Sequence, residues 1–378
     1  MMHPKFLSMH HIFQMRKNIW HIPLEPIDGR YSKQWLECIS REFEAYANKD
    51  YDGHDYWKMY DLIPQQIDQA VESVSEGGFL NFTATNRWKS QQLIQLTNLF
   101  EKGYILPGDT FLFTDAWNPA ILNLRYMSDL ANIPIRIVSY WHAGSYDPWD
   151  VLGYKIKDKS WSFAAERAFF HAADVNVFAT KYHKNFFFKH CLGYVDGRMF
   201  NHELKTLVSG QPHYEIVKWF ENCPPDVTEK EDIVLFPHRL CQEKQPEIFD
   251  ELARRMPKYK FIRTQDYNLS KDEYYTLLLK SKVVFSCAMH EFLGISMMEG
   301  VLAGCMPVMP DRLSYLEMYY PAYRYPSKWA DDKNVDFDSL KWFISESMTN
   351  HPSWLKGQKQ RLIKNYLTSE PLWDALKE

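Results

Sequence analysis

Short apolar runs alternate with longer segments of helical periodicity along most of this chain. Runs such as residues 134–140, 175–179 and 283–285 are rich in β-branched or aromatic side chains, which predicts strands buried in a parallel sheet. In the segments between them, apolar side chains recur at intervals of three and four residues, the spacing of one helix face. This alternation of strands and helices is typical of α/β folds.

The same two patterns assign most of the remaining chain. Further strands are predicted at residues 18–24, 79–82, 109–114, 232–237, 260–263 and 306–309. Helices are predicted at residues 33–47, 88–100, 119–131, 161–173, 249–256 and 270–280, with more helices over 340–377. The strand, turn and helix at the start resemble the opening of a Rossmann-like unit. The G-x-G-x-x-G sequence is absent, however, so no dinucleotide cofactor is predicted.

The chain of 378 residues is long for one hydrophobic core, so two domains are expected. Residues 221–231 are polar and contain proline, which is typical of a linker. The predicted division is a flexible extension at 1–16, a Rossmann-like domain at 17–222, a second Rossmann-like domain at 231–340, and helices at 341–378 that pack back toward the first domain.

Composition narrows the class of protein. Hydrophobic residues make up 46% and charged residues 24% of the chain, which is ordinary for a globular protein. The six cysteines include no C-x-x-C pair, so neither a zinc site nor a disulfide framework is expected. No apolar run approaches the ~20 residues of a membrane span, and no signal peptide is evident. A cytoplasmic protein without membrane contact is therefore expected.

The most informative stretch is residues 287–315, C-A-M-H-E-F-L-G-I-S-M-M-E-G-V-L-A-G-C-M-P-V-M-P-D-R-L-S-Y. A loop with Glu291 follows the strand, and Gly294 precedes a helix that carries Glu299. The N–H groups at a helix start suit a diphosphate, and a carboxylate one turn further can accept both hydroxyls of a ribose. The pattern predicts a nucleotide-sugar site. The alternative is that both glutamates are ordinary polar residues of a surface strand–helix unit.

Glu291 and Glu299 resemble the E-x7-E signature of retaining glycosyltransferases with the two-Rossmann-domain GT-B architecture. Within the group-1, family-4-like enzymes, the stretch most resembles the tRNA-queuosine mannosyltransferase-like proteins. These share H-E-F-[FL]-G, M-x-E, G-C-x-P and P-D-R-L-x-Y in the same order. The resemblance covers roughly residues 230–325. It implies a hexosyl- or pentosyltransferase that uses a UDP- or GDP-sugar and retains the anomeric configuration.

Arg239 and Lys244 resemble the R-x4-K of the same family, whose two cations hold the donor diphosphate. Cations aimed at the leaving diphosphate stabilise the charge that develops as the sugar bond breaks. The resemblance therefore implies catalysis without a metal or other cofactor, and no suitable Asp-x-Asp stands out. It places Glu299 on the ribose and Glu291 on the sugar hydroxyls. Further donor contacts are implied for His290, Phe292, Leu293 and Gly294.

In the N-terminal half, the resemblance implies a histidine beside the donor sugar, and His142 is the candidate. The alternative is a histidine that only bonds a neighbouring backbone group. Ligands of open α/β sheets lie beyond the carboxyl ends of strands, so residues after the other strands are candidates for acceptor contacts. They are equally well explained as solvated loop residues. These candidates are Glu25, Arg30, Tyr31, Asp115 and Trp117, with Asp28 and Gln34 nearby.

The sequence leaves the acceptor open. The tRNA-modifying relatives favour a modified nucleobase in nucleic acid, and phage enzymes that glycosylate hydroxymethylated DNA pyrimidines share the architecture. Residues 180–190 interleave lysines with aromatics and residues 356–364 are basic, as in nucleic-acid-binding patches. An amphipathic or solvated helix explains each of them too. The net charge of −4 counts against nucleic acid, so binding would depend on local patches.

Other functions stay open at this point. The acceptor could be a glycan, a lipid or a protein. A nucleotide-sugar or nucleic-acid binding protein without turnover is disfavoured because the two glutamates and the two cations are all present. A sugar epimerase of the same architecture would need acid and base carboxylates that no motif supplies. The sequence predicts neither the sugar, nor the donor base, nor the oligomeric state.

Overall fold

The computed structural model describes residues 16–27, 31–49, 56–64, 81–193, 204–223, 229–331, 333–349 and 355–378. The described residues form two sheets, and all the neighbouring strands in them run parallel. Parallel sheets need cover on both faces, which explains why their strands read as continuous apolar runs.

The first sheet consists of β1 (Arg16–Ile22), β2 (Tyr56–Asp61), β3 (Thr110–Phe113), β4 (Arg136–Trp141), β5 (Val175–Phe178) and β6 (Thr206–Val208). Its order is β2-β1-β3-β4-β5-β6, so the direction of winding reverses between β1 and β3. The helices of this half are α1 (Tyr31–Ala47), α2 (Phe82–Glu101), α3 (Ala120–Ala131), α4 (Val151–Lys155), α5 (Lys159–Ala172), α6 (Lys181–Phe187) and α7 (Tyr214–Glu221).

The second sheet consists of β7 (Glu231–Phe236), β8 (Lys260–Arg263), β9 (Ser281–Phe285), β10 (Met306–Pro310) and β11 (Arg324–Tyr325). Its order is β11-β10-β9-β7-β8, and the reversal lies between β7 and β9. The helices of this half are α8 (Pro246–Arg255), α9 (Lys271–Lys280), α10 (Ile295–Leu302), α11 (Tyr315–Met318), α12 (Phe337–Thr349), α13 (Leu355–Leu362) and α14 (Glu370–Lys377).

The strand predicted at residues 79–82 is wrong where it can be checked. Phe82 begins α2, and the side chain of Asn81 caps this helix by accepting a hydrogen bond from the Ala84 N–H. Residues 79 and 80 lie outside the described residues. A short apolar run fits a helix start as well as a strand, and here the capping residue decides. The edge strands β2, β6 and β11 were not predicted, because none of them has a continuous apolar run.

Several side chains of the two basic stretches pack inside the fold or bond to it. In residues 180–190 the rings of His183, Phe187 and Phe188 are buried, so the amphipathic-helix alternative describes them. In residues 356–364, Lys359 Nζ donates to the Leu302 carbonyl at 3.1 Å, and Arg361 donates to the Glu317 carbonyl at 2.6 Å. Lys359 and Arg361 therefore bind carbonyl groups at the ends of neighbouring helices.

The last helix, α14, packs against the first. The Trp373 ring lies 5.9 Å from the Phe43 ring of α1, and the Tyr46 hydroxyl donates to Asp374 at 2.7 Å. The chain therefore returns from the second sheet to the first at its end.

Candidate functional site

An ion pair joins the two loops at the reversal point of the second sheet. Lys244 follows β7 and Glu291 follows β9, and their charged atoms are 3.0 Å apart with side chains only 7% and 18% exposed. Lys244 also donates to the His290 carbonyl at 2.5 Å. Burial raises the pKa of Glu291, but the nearby Lys244 ammonium, with smaller contributions from His238 and His290, leaves the pKa below its usual value. Open α/β sheets bind ligands at this kind of position.

Arg239 lies beside this pair, with its guanidinium 3.2 Å from Glu243 and its side chain 37% exposed. It lines a polar cavity of about 20 Å³ between the two halves of the chain. Trp149, Asp150, Tyr154 and His290 also line this cavity. A cavity of this size holds about one water molecule. The guanidinium therefore borders the space between the two sheets.

Gly294 is required by the turn that leads into α10. Its φ is +78°, in the left-handed region that side chains disfavour. A Cβ atom there would lie 3.2 Å from Glu291 Cγ and 3.3 Å from a ring carbon of Tyr315. The glycine lets the Glu291 side chain lie against the start of the helix.

Glu299 is buried in α10, and its carboxylate already has several partners. Lys271 lies 2.7 Å from Oε1, the Tyr275 hydroxyl donates to the same oxygen at 3.2 Å, and the Tyr274 hydroxyl donates to Oε2 at 2.9 Å. Among these donors only the Lys271 side chain is substantially exposed, at 38%. A ligand hydroxyl could therefore reach Glu299 most easily by displacing Lys271.

The loop that carries Glu291 is anchored in the first half of the chain. His290 Nδ1 lies 2.7 Å from an Asp147 oxygen, and the Phe292 carbonyl accepts a hydrogen bond from Thr180. The Phe292 ring is 5% exposed and stacks on His183 at 3.9 Å. The Leu293 side chain is also buried. The side chains predicted to contact the donor at these two positions therefore serve the core, which leaves only their backbone groups for a ligand.

His142 follows β4 and both of its ring nitrogens have partners. Nε2 lies 2.6 Å from the Thr114 carbonyl, which assigns the proton to this nitrogen. Nδ1 lies 3.2 Å from the Tyr31 hydroxyl and 3.4 Å from the Gln211 amide nitrogen. Burial lowers the pKa of His142, with Asp115 opposing the shift. The ring is therefore a neutral imidazole with its acceptor nitrogen toward Tyr31, and it does bond a backbone group.

The other predicted acceptor residues meet at the reversal point of the first sheet. Asp115 pairs with Lys89 at 2.6 Å, and Glu25 accepts a hydrogen bond from Thr85 at 2.7 Å. The Trp117 indole donates to Glu166 at 3.0 Å. Arg30 and Asp28 lie outside the described residues. Lys89 and Glu166 carry no motif, and the sequence alone did not identify them.

Glu166 provides a pH-dependent prediction. It is fully buried, and burial raises its pKa to about 7 although Ser145 and Trp117 donate to it. The folded state therefore holds this proton more tightly than the unfolded state, and the group destabilises the fold as pH rises from about 4.5 to 7. At pH 4, where Glu166 is protonated, Glu166→Gln should change the free energy of unfolding little. At pH 8 the variant should gain about 3 kcal/mol over the wild type in addition, because it has no carboxyl group to ionise. Chemical denaturation of both proteins at both pH values measures these free energies. The same difference between variant and wild type at pH 4 and pH 8 would contradict the prediction.

Metal sites and membrane spans are both absent from the described ranges. No group of three or more histidine, cysteine, aspartate or glutamate side chains there could hold a metal ion. Among those same residues, no helix is both long and apolar enough to cross a membrane.

Comparison with known proteins gives short sequence similarity and structural matches over most of the chain. No known family description matches the chain. Over 80 residues it is 35% identical to the tRNA-queuosine alpha-mannosyltransferase of Drosophila melanogaster, a match that spans only 21% of this chain and 21% of that protein.

The lipopolysaccharide outer core galactosyltransferase WaaB superimposes with a TM-score of 0.56 at 14% identity, over 96% of this chain and 98% of that one. The pneumococcal O-GlcNAc transferase GtfA, solved with UDP and GlcNAc, gives a TM-score of 0.50 at 12% identity, over 76% of this chain and 59% of that one. With its two parallel sheets and these structural neighbours, the chain has the GT-B fold of two Rossmann-like domains.

Proposed function

We propose that this protein is a retaining glycosyltransferase that takes a sugar from a nucleotide-sugar donor. The observation that carries the proposal is the Lys244–Glu291 pair at the reversal point of the second sheet, with Arg239 beside it. A nucleoside diphosphate is the leaving group that such a pair of cations suits, because its charge increases during transfer. The neighbours with this fold include glycosyltransferases, and one of them was solved with UDP.

The proposed donor site uses the loops after β7 and β9. Arg239 and Lys244 bind the diphosphate, together with the backbone N–H groups at the start of α10. Glu291, held by Lys244, accepts hydrogen bonds from sugar hydroxyls. Glu299 binds the ribose once Lys271 has moved aside. His142, whose acceptor nitrogen Nδ1 faces the Tyr31 hydroxyl, lies near the sugar.

In the proposed reaction, the bond between the anomeric carbon and the diphosphate oxygen breaks, and the oxygen keeps the electron pair. The acceptor hydroxyl forms the new bond on the same face, and its proton passes to the departing phosphate. Glu291 is in an ion pair with Lys244, which fits a role in positioning better than a role as a nucleophile. We further propose a modified nucleobase in nucleic acid as the acceptor, in keeping with the match to a tRNA-queuosine mannosyltransferase.

Thermal unfolding with UDP, GDP, ADP and dTDP and their common sugars tests the donor. A ligand that binds only the folded protein adds about 2.7 kcal/mol of unfolding free energy at 100 times its dissociation constant. We expect one diphosphate series to stabilise the wild type. Glu299→Gln should lose most of this effect, because it replaces the carboxylate that binds the ribose, whereas Glu231→Gln, on an exposed strand end, should keep it. Failure of every nucleotide to stabilise the wild type would contradict the proposed function.

A further inference from the structure

A basic and aromatic surface runs along α4 and the start of α5. It consists of Tyr154, Lys155, Lys157, Lys159 and Trp161, which we call the α4–α5 patch. Tyr154 is 48% and Trp161 is 51% exposed, although large aromatic side chains are usually buried. Lys155 and Lys157 are exposed as well. The sequence motifs gave this segment no role, because it carries no pattern beyond these alternating types.

One exposed ring lies at the proposed donor site and the other lies beside Trp117. Tyr154 lines the small polar cavity together with Arg239 and His290 of the proposed donor site. Trp161 packs edge-on against Trp117, with ring centroids 6.4 Å apart, and Trp117 follows β3 at the reversal point of the first sheet. One ring of the patch therefore adjoins the donor side and the other adjoins the residues proposed to face the acceptor.

The charges between these rings are mostly positive. Lys157 donates to the Tyr154 carbonyl at 2.9 Å, and Lys159 donates to the Gly153 carbonyl. Both ammonium groups therefore lie close to the backbone of α4. Each ammonium group has three donors and retains others for a ligand. The acid among them, Asp158, caps α5 by accepting from the Ser160 N–H at 2.9 Å. The segment between the two rings therefore carries three lysines and one aspartate, on a chain whose net charge is −4.

The patch differs from the other basic stretches in having its rings outside. In residues 180–190 the rings of Phe187 and Phe188 are in the core, and the partly buried rings of Tyr182 and Phe186 pack against Phe292. Proteins bind single-stranded nucleic acid by stacking its bases on exposed aromatic rings and by placing cationic side chains along its phosphate backbone. A neutral glycan could stack on the rings and accept hydrogen bonds from the lysines, but it has no charged backbone for the lysines to neutralise.

We propose that the α4–α5 patch binds a single-stranded segment of the nucleic-acid acceptor, with bases stacked on Tyr154 and Trp161 and phosphates beside Lys155 and Lys157. This inference rests on the proposed function and names the surface that presents the acceptor to the site. The bound strand would extend from the entrance beside Arg239 toward Trp117. An unpaired nucleotide between the two rings then lies next to the sugar.

Fluorescence anisotropy with labelled single-stranded RNA and DNA of about 12 nucleotides tests the proposal. The full chain should bind, and Trp161→Ala and Tyr154→Ala should each weaken binding roughly 5- to 150-fold. Replacing Lys155 and Lys157 together by glutamine should reduce the slope of log affinity against log salt by roughly 0.7 for each phosphate that the variant no longer neutralises. Tyr126→Ala, which removes a 64% exposed ring on α3, is the matched control and should leave binding unchanged.

The outcomes separate this inference from the proposed function. If a nucleoside diphosphate stabilises the protein but neither oligonucleotide binds, the donor assignment stands and the patch proposal is wrong. Binding that resists the patch substitutions, or that Tyr126→Ala weakens equally, also overturns it. Binding of duplex alone would contradict the stacking arrangement. Each variant is assayed below its own unfolding temperature, because the half-buried rings of Tyr154 and Trp161 also contribute packing.

Discussion

Replacing Lys244 with methionine is expected to lower the rate of diphosphate release from the donor sugar by about 10²–10³-fold, as removal of one preorganised charge-stabilising group does elsewhere. Lys244 is nearly buried, lies beside the His290 carbonyl and faces Glu291 at 3.0 Å. Its charge is therefore fixed in place before the reaction, and a flexible or hydrated cation could not substitute for it. Steady-state assays with the donor identified by thermal unfolding measure the effect.

A second effect on stability must be separated from this one. Removing one partner of a buried pair leaves a charge without compensation and costs about 3–5 kcal/mol. The double variant Lys244→Met with Glu291→Gln removes both charges, so it should regain much of the stability while remaining inactive. Lys282→Met, which breaks a surface pair with Asp232, should retain wild-type turnover. Wild-type turnover in the double variant would contradict the proposed role of Lys244.

Phe292→Ala is expected to lower the free energy of unfolding by about 3–5 kcal/mol. The ring belongs to the loop between β9 and α10, yet it packs among aromatic side chains of the first domain. It stacks on His183 at an interplanar angle of 12°, and the ring centroid of Tyr146 lies 6.3 Å away. Denaturant titration measures the loss, and nucleotide affinity should fall with it because the same loop carries Glu291.

Trp342→Ala is the control for this substitution. Its ring is 59% exposed on α12, so its removal should change stability by no more than about 0.5 kcal/mol. A loss below about 1 kcal/mol in Phe292→Ala would show that the loop is held by other contacts. The hydrogen bond from Thr180 to the Phe292 carbonyl would then be the main candidate.

The fold of the second domain was predictable because its signals are local. The apolar runs at β7, β9 and β10 are continuous, and Gly294 occurs where the turn into α10 needs a positive φ. The GT-B prediction is confirmed on this basis together with the structural neighbours. The signals were weaker at β2, where Tyr56–Asp61 mixes aromatic and charged residues at the edge of a sheet.

The candidate site was only partly predictable because its contacts are distant in sequence. The R-x4-K and E-x7-E spacings identified Lys244 and Glu291, and the structure brings them together. No local sequence signal identifies Asp147 as the partner of His290. Likewise, no local signal shows that Lys271 forms an ion pair with Glu299. The roles of the individual side chains in binding a donor stay predictions until the variants are measured.

The packing of α14 on α1 has a consequence for synthesis on the ribosome. Trp373 and Leu376 cover a surface formed by residues made more than 300 positions earlier, among them Phe43. At about 5–20 residues per second, this surface stays uncovered for about 10–30 s after the first sheet has been synthesised. A nascent chain therefore carries an exposed apolar surface until α14 emerges, and molecular chaperones have this interval in which to bind it.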